Sequence, residues 1–133
     1  MLKKWNVLVV CAELTERNAL IQMLEGMSVG VFSCSTLSQA MEVLSSRKIE
    51  LVFCDENLSD GSFRNLLLAD QDWKGRPRIV VIFRTGEWDE YLNALQLGVF
   101  EVISSPLHAT DVELAVIRAI RDEGQGTFHQ MIA

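Results

Sequence analysis

Five short apolar runs alternate with five amphipathic segments along almost the whole chain, and that alternation leaves few possible folds. A strand that is apolar at nearly every position must be covered on both faces, and connections long enough to hold a helix let neighbouring strands run parallel. The runs are WNVLVVCA at residues 5–12, VGVFSCS at 29–35, IELVFCD at 49–55, a segment at 74–83 that turns through Gly75 and Pro77 into RIVVIF, and VFEVIS at 99–104. Helices are predicted over about 15–27, from Leu37 to Leu44 with Ser35 or Thr36 as cap, over 62–73, over 87–98 with Gly98 as terminator, and over 109–123 with Thr110 or Asp111 as cap. Gly26 marks the end of the first helix. The expectation is an α/β fold, a doubly wound five-stranded parallel sheet with five helices.

At 133 residues the chain can bury a core without staples, and one domain is expected over residues 1–122. Beyond it GQGTFHQMIA loses periodicity after two glycines, so 123–133 reads as a tail or the start of a linker to an output domain. With 49% hydrophobic and 23% charged residues the composition is globular. The apolar runs are too short for a bilayer and the N-terminus lacks a signal cleavage site, so a cytoplasmic protein without membrane partners is expected. Net charge is -6 with no basic tract, which argues against direct nucleic-acid binding. Three cysteines without a CxxC pair fit neither a disulfide framework nor a zinc site.

In an open parallel sheet, ligands bind beyond the carboxyl ends of the strands, and the residues there carry the chemistry. They are Cys11, Ala12 and Glu13 after the first strand, Asp55 after the third, Phe83, Arg84 and Thr85 after the fourth, and Ser104, Ser105 and Pro106 after the fifth. Three stretches at these ends, VLVVCAELTER (7–17), DENLSDG (55–61) and GVFEVISSP (98–106), have a joint spacing that resembles the receiver domain of two-component response regulators. The resemblance covers residues 5–121 and implies a flavodoxin-like, receiver-like sheet of order 2-1-3-4-5.

The resemblance assigns roles position by position, and only one residue matches intact. Asp55 falls on the phospho-accepting aspartate. The acidic pair that holds magnesium falls on Cys11 and Ala12, the hydroxyl that donates to the phosphoryl group on Phe83 (or on Thr85 after a local shift), the lysine on Ser105, and the aromatic switch residue on Val102. Phosphoryl transfer to a carboxylate needs cations that neutralise developing charge, and magnesium needs hard oxygen ligands. Glu13, Asp55 and the carbonyl of Asn57 remain as possible metal ligands, a set judged too poor for ordinary magnesium binding.

The expected function is therefore a two-component or phosphorelay signalling module with a degenerate phosphorylation site, a pseudo-receiver that is no enzyme and holds no cofactor. Its expected partners are proteins: a histidine kinase, an output domain for transcription regulation, or a second copy. The interaction face implied by the resemblance spans 87–121 and includes Trp88, Tyr91, Val102 and Arg118, with core packing expected to claim Leu95. Two rival readings are a receiver phosphorylated on Asp55 through an unusual metal site, for which Mg²⁺ would be needed, and a flavodoxin-like small-molecule binder. The second is disfavoured because CAELTER has no glycines to cradle a phosphate. Cys11, Cys34 and Cys54 are expected to pack as small hydrophobes, with Cys54 on the face opposite Asp55, and His108 and His129 to be exposed without ligand partners.

Overall fold

A computed structural model describes residues 4–69, 73–84 and 86–132, with side chains omitted for 123–132. Its elements are β1 (Asn6–Val10), α1 (Leu14–Glu25), β2 (Gly30–Cys34), α2 (Leu37–Ser46), β3 (Leu51–Asp55), β4 (Asn57–Leu58), β5 (Gly61–Ser62), α3 (Phe63–Ala69), β6 (Arg78–Phe83), α4 (Trp88–Leu97), β7 (Glu101–Ser104) and α5 (Ala109–Ile132). Five strands pair in parallel in the order β2-β1-β3-β6-β7, and β4 and β5 form a separate two-stranded antiparallel pair. This is the predicted sheet, with β6 and β7 as its fourth and fifth strands. None of the described helices is long and apolar enough to cross a membrane.

Strand alternation splits the interior into two cores. Val7, Val9, Leu51, Phe53, Val80 and Ile82 face α1 and α5, whereas Leu8, Val10, Val52, Cys54, Val81 and Phe83 face α2, α3 and α4. Because β3 is buried at every position, a change in its register would move a whole set of side chains from one core to the other. Asp55, at its last position, pairs with Ile82 of β6 and lies at the carboxyl edge of the central strand.

Local chemistry accounts for the helix ends. Thr36 caps α2 by accepting from the Gln39 amide, and Asp60 adds a second cap from across the molecule, accepting from the Leu37 and Ser38 amides at 2.9 and 3.0 Å. Gly98 ends α4 with φ 111°, a left-handed conformation that favours glycine. The start of α5 differs from expectation: the His108 carbonyl accepts from Asp111 and Val112, so the predicted caps Thr110 and Asp111 lie inside the first turn. The backbone of α5 also stays helical through Gly124 and Gly126 to Ile132, where loss of periodicity had pointed to a tail. Two glycines cost a helix about 1 kcal/mol each, but extending an established helix is far easier than nucleating one.

Helix α3 is described over Phe63–Ala69, within the predicted 62–73, and residues 70–72 of that span lie outside the described set. On α4 the inward positions are Ala94, which is buried, and Tyr91, which is half-buried. Leu95, expected in the core, is 45% exposed, because the helix phase that buries Tyr91 and Ala94 turns the next residue outward.

Candidate functional site

The site is assembled by four segments that meet at the carboxyl edge of the sheet. Backbone bonds register them: the Cys11 amide donates to the Cys34 carbonyl, Glu56 to Ile82, and Ser105 to Phe83. The turn after β1 is held by Arg17, whose Nη1 donates to the Cys11 carbonyl at 2.8 Å and to that of Ala12 at 3.4 Å. In the loop after β3, Gly61 takes φ 147°, and a Cβ there would run into Leu37 and Asn65. Asp60 and Gly61 of the DENLSDG stretch are thus accounted for by structure alone.

Asp55 is 2% exposed, and both of its oxygens are occupied. The Ala12 amide donates to Oδ2 at 3.0 Å, and Arg84 Nη2 donates to Oδ1 at 3.3 Å. Arg84 also grips Glu16 with two bonds, Nη1 to Oε2 at 3.1 Å and Nη2 to Oε1 at 2.7 Å. Ser105 Oγ donates to the same Glu16 Oε2 at 2.9 Å, and the Cys11 thiol lies 3.7 Å from Oε1. The guanidinium therefore sits between two carboxylates, with a serine and a thiol closing the ring.

Burial pushes the Asp55 carboxyl above the ordinary aspartate range; the Ala12 amide and the Arg84 charge oppose that rise, and the Glu16 charge adds to it. Cys11 is pushed up to about 12, first by burial and then by the charges of Asp55 and Glu16, so it is a neutral thiol at physiological pH. Cys34 is pushed up to about 11 and Cys54 further still, in both cases chiefly by burial. All three are free thiols, and Cys54 lies in the core opposite the Asp55 side, as its position in β3 predicts.

Glu16 and Arg84, which sequence reasoning gave no role, are at the centre of the site, whereas Glu13 is not part of it. Glu13 is the N-cap of α1: its two oxygens accept from the Thr15 and Glu16 amides at 3.1 and 2.7 Å, which lowers its pKa. Glu16 follows one turn later and faces inward; α1 periodicity held the signal, since Glu16 precedes buried Leu20 by four residues. Asn57 is exposed in β4, paired with Ser62.

Phe83 is fully buried and packs edge-on against Phe63, with ring centroids 6.2 Å apart, and against Tyr91 at 5.0 Å. It offers no hydroxyl, and Thr85 lies outside the described residues. Val102 is half-buried against the same core, and Tyr91 and Ser104 share a hydroxyl bond of 3.2 Å. On the expected interaction face Trp88 is 69% exposed, and Arg118 pairs with Glu101 at 2.8 Å. His108 is exposed, and the side chain of His129 lies outside the described residues.

Among the described residues, the group of ionisable side chains able to share a metal is Cys11, Glu16 and Asp55, with ligand atoms within 4.8 Å of one another. This donor set does not suit magnesium. Ala12 supplies no ligand, the thiol is soft and protonated, and both carboxylates are already committed to a guanidinium that carries the positive charge itself.

Comparison with known proteins bears on the fold. No family model matches the chain. It is 30% identical over 116 residues to the KDP operon transcriptional regulatory protein KdpE of Escherichia coli K12, an alignment that covers 87% of this chain and 51% of that protein. The chain thus spans about half the length of that curated relative. It superposes on the signal receiver domain of an HD domain-containing protein from Pseudomonas fluorescens Pf-5 with a TM-score of 0.82 at 18% identity, covering 92% of this chain and 99% of the other. The chain has the fold of a response-regulator receiver domain. The chemotaxis response regulator CheY4 of Vibrio cholerae gives a TM-score of 0.79 at 12% identity, covering 88% of this chain and 99% of its own.

Proposed function

We propose that this receiver domain is a pseudo-receiver: a two-component signalling module that works in the cytoplasm through protein contacts, without catalysis and without magnesium. The observation that carries this reading is the Arg84 guanidinium, which occupies both carboxylates of the site through three bonds. A working site has to gather divalent charge around an accessible aspartate. Here the aspartate is sealed, its neighbours at the magnesium positions are Cys11 and Ala12, and the lysine position is Ser105. Phe83 and Val102 occupy the switch positions as packed apolar side chains. Output is then constitutive or set by a partner.

The contact surface of this reading lies on α4, β7 and α5. Trp88, Leu92 and Leu95 form an i, i+4, i+7 stripe on α4, while Leu114, Ile117 and Ile120 stand exposed on α5. Between them a groove of about 320 Å³ is lined by Val102, Ser104, Leu114 and Arg118, among others. The expected occupants are a second copy, a kinase or an output domain.

The test is chemical. With magnesium and beryllofluoride the wild-type domain is expected to show no spectral or thermal shift, and with acetyl phosphate no acyl-phosphate mass gain. Ala12→Asp with Ser105→Lys and Cys11→Asp is expected to recover magnesium binding only when Arg84→Ala vacates the site as well. Efficient phosphorylation of the unmodified chain on Asp55 would refute the reading.

A further inference from the structure

Helix α4, which carries the 69% exposed Trp88, starts without a side-chain cap. Helices α1 and α2 open on side-chain caps, from Glu13 and from Thr36 with Asp60. Glu87, at the N-cap of α4, makes no side-chain cap bond. A helix end whose amides are not capped frays readily. Inward, α4 buries Ala94 fully and half-buries Tyr91, whose ring lies on Phe83 and whose hydroxyl meets Ser104. Its other large side chains, Trp88, Leu92, Leu95 and Leu97, are exposed.

Ahead of α4, Arg84, the residue directly after the end of β6, is tied down by its side chain. Its side chain is 47% exposed, but its partners are not: the Glu16 side chain is 13% exposed and that of Asp55 3%. Two parallel bonds to Glu16 tie the start of the β6–α4 connection to the first turn of α1, and Ser105 brings the β7–α5 loop to the same carboxylate. A bidentate arginine–carboxylate pair fixes geometry as well as charge.

We infer that the Glu16–Arg84 pair is a clamp that sets where α4 begins, so that opening it releases the N-terminal half of α4 and the Trp88, Leu92 and Leu95 stripe. Arg84 acts here as a positioning residue, and the inference rests on the reading of that stripe as the contact surface. A partner that drew Glu16 or Arg84 away would alter the stripe without any phosphoryl group.

Hydrogen exchange on the full chain, followed by mass spectrometry, tests the clamp. Arg84→Gln is expected to speed exchange of the amides of residues 90–95 roughly tenfold while those of β1 and β3 keep their rates. Glu16→Gln is expected to do the same, and the double variant to fall well short of the sum of the two single ones, because both disrupt the shared Arg84–Glu16 bond pair. Arg84→Lys, which keeps the charge but not the fork, is expected to fall between. Wild-type exchange at 90–95 in folded Arg84→Gln, or additive effects in the double variant, would overturn the clamp. Should Arg84→Gln and Glu16→Gln not fold, the milder Arg84→Lys serves instead; wild-type exchange at 90–95 in it would also overturn the clamp. Phosphorylation of wild-type Asp55 would refute the pseudo-receiver reading and leave these exchange results standing, so the two failures are distinguishable.

Discussion

Asp55 is a carboxylate in a place that disfavours its charge, and its consequences follow from sign. Because burial raises its pKa in the folded state, the folded protein prefers the protonated acid relative to the unfolded chain. Its contribution to stability is fully present below the ordinary aspartate value of about 4 and is lost as pH rises through the higher folded value. Asp55→Asn removes that titration while keeping an oxygen for the Ala12 amide. The stability difference between Asp55→Asn and wild type is therefore expected to move in favour of the variant between about pH 4 and pH 7, measured by urea unfolding. A difference moving the other way would mean that the bond from Arg84 outweighs desolvation. Asp55 was legible in the sequence because an apolar strand delivers it. Arg84 was visible at the end of β6 but had no readable role, since its meaning depends on Glu16, 68 positions earlier.

Elements were legible in proportion to how much of their pattern was local. The five sheet strands announce themselves as apolar runs, and Gly98 as a terminator. The cap of α2 by Thr36 was readable, whereas the cap from Asp60 comes across 23 positions and was not. The β4–β5 hairpin has strands of two residues, too short for any periodicity. Leu95 was misplaced because α4 is apolar on more than one side, so periodicity alone does not fix which side faces in. Gly98 gives a clean test at this scale: a Cβ built there meets nothing within 4 Å, so Gly98→Ala isolates the backbone. It is expected to cost about 1–2 kcal/mol from the left-handed conformation, read by chemical denaturation. A neutral result would mean that the end of α4 readjusts.

For the molecule as a whole, the exposed apolar side chains of α4 and α5 flank one strand, β7, and the groove beside it. Self-association through this face is expected at high concentration, and Trp88→Ala with Ile117→Ser is expected to abolish it in sedimentation velocity. A strict monomer in the wild type would leave the face to a heterologous partner. The Glu16–Arg84 bond has one more consequence, in time rather than space. A chain made from its N-terminus forms Glu16 and then Asp55 well before the guanidinium that reconciles them. Until β6 takes its place beside β3, closing the turn after β1 onto Asp55 brings two like charges together in a drying crevice. That edge of the sheet is therefore expected to settle late, after the central strands have met, because a contact across 68 positions has to overcome its loop-closure entropy first. An interaction absent from the transition state slows unfolding and leaves folding untouched. The residue that joins the two carboxylates is thus expected also to lengthen the lifetime of the folded domain.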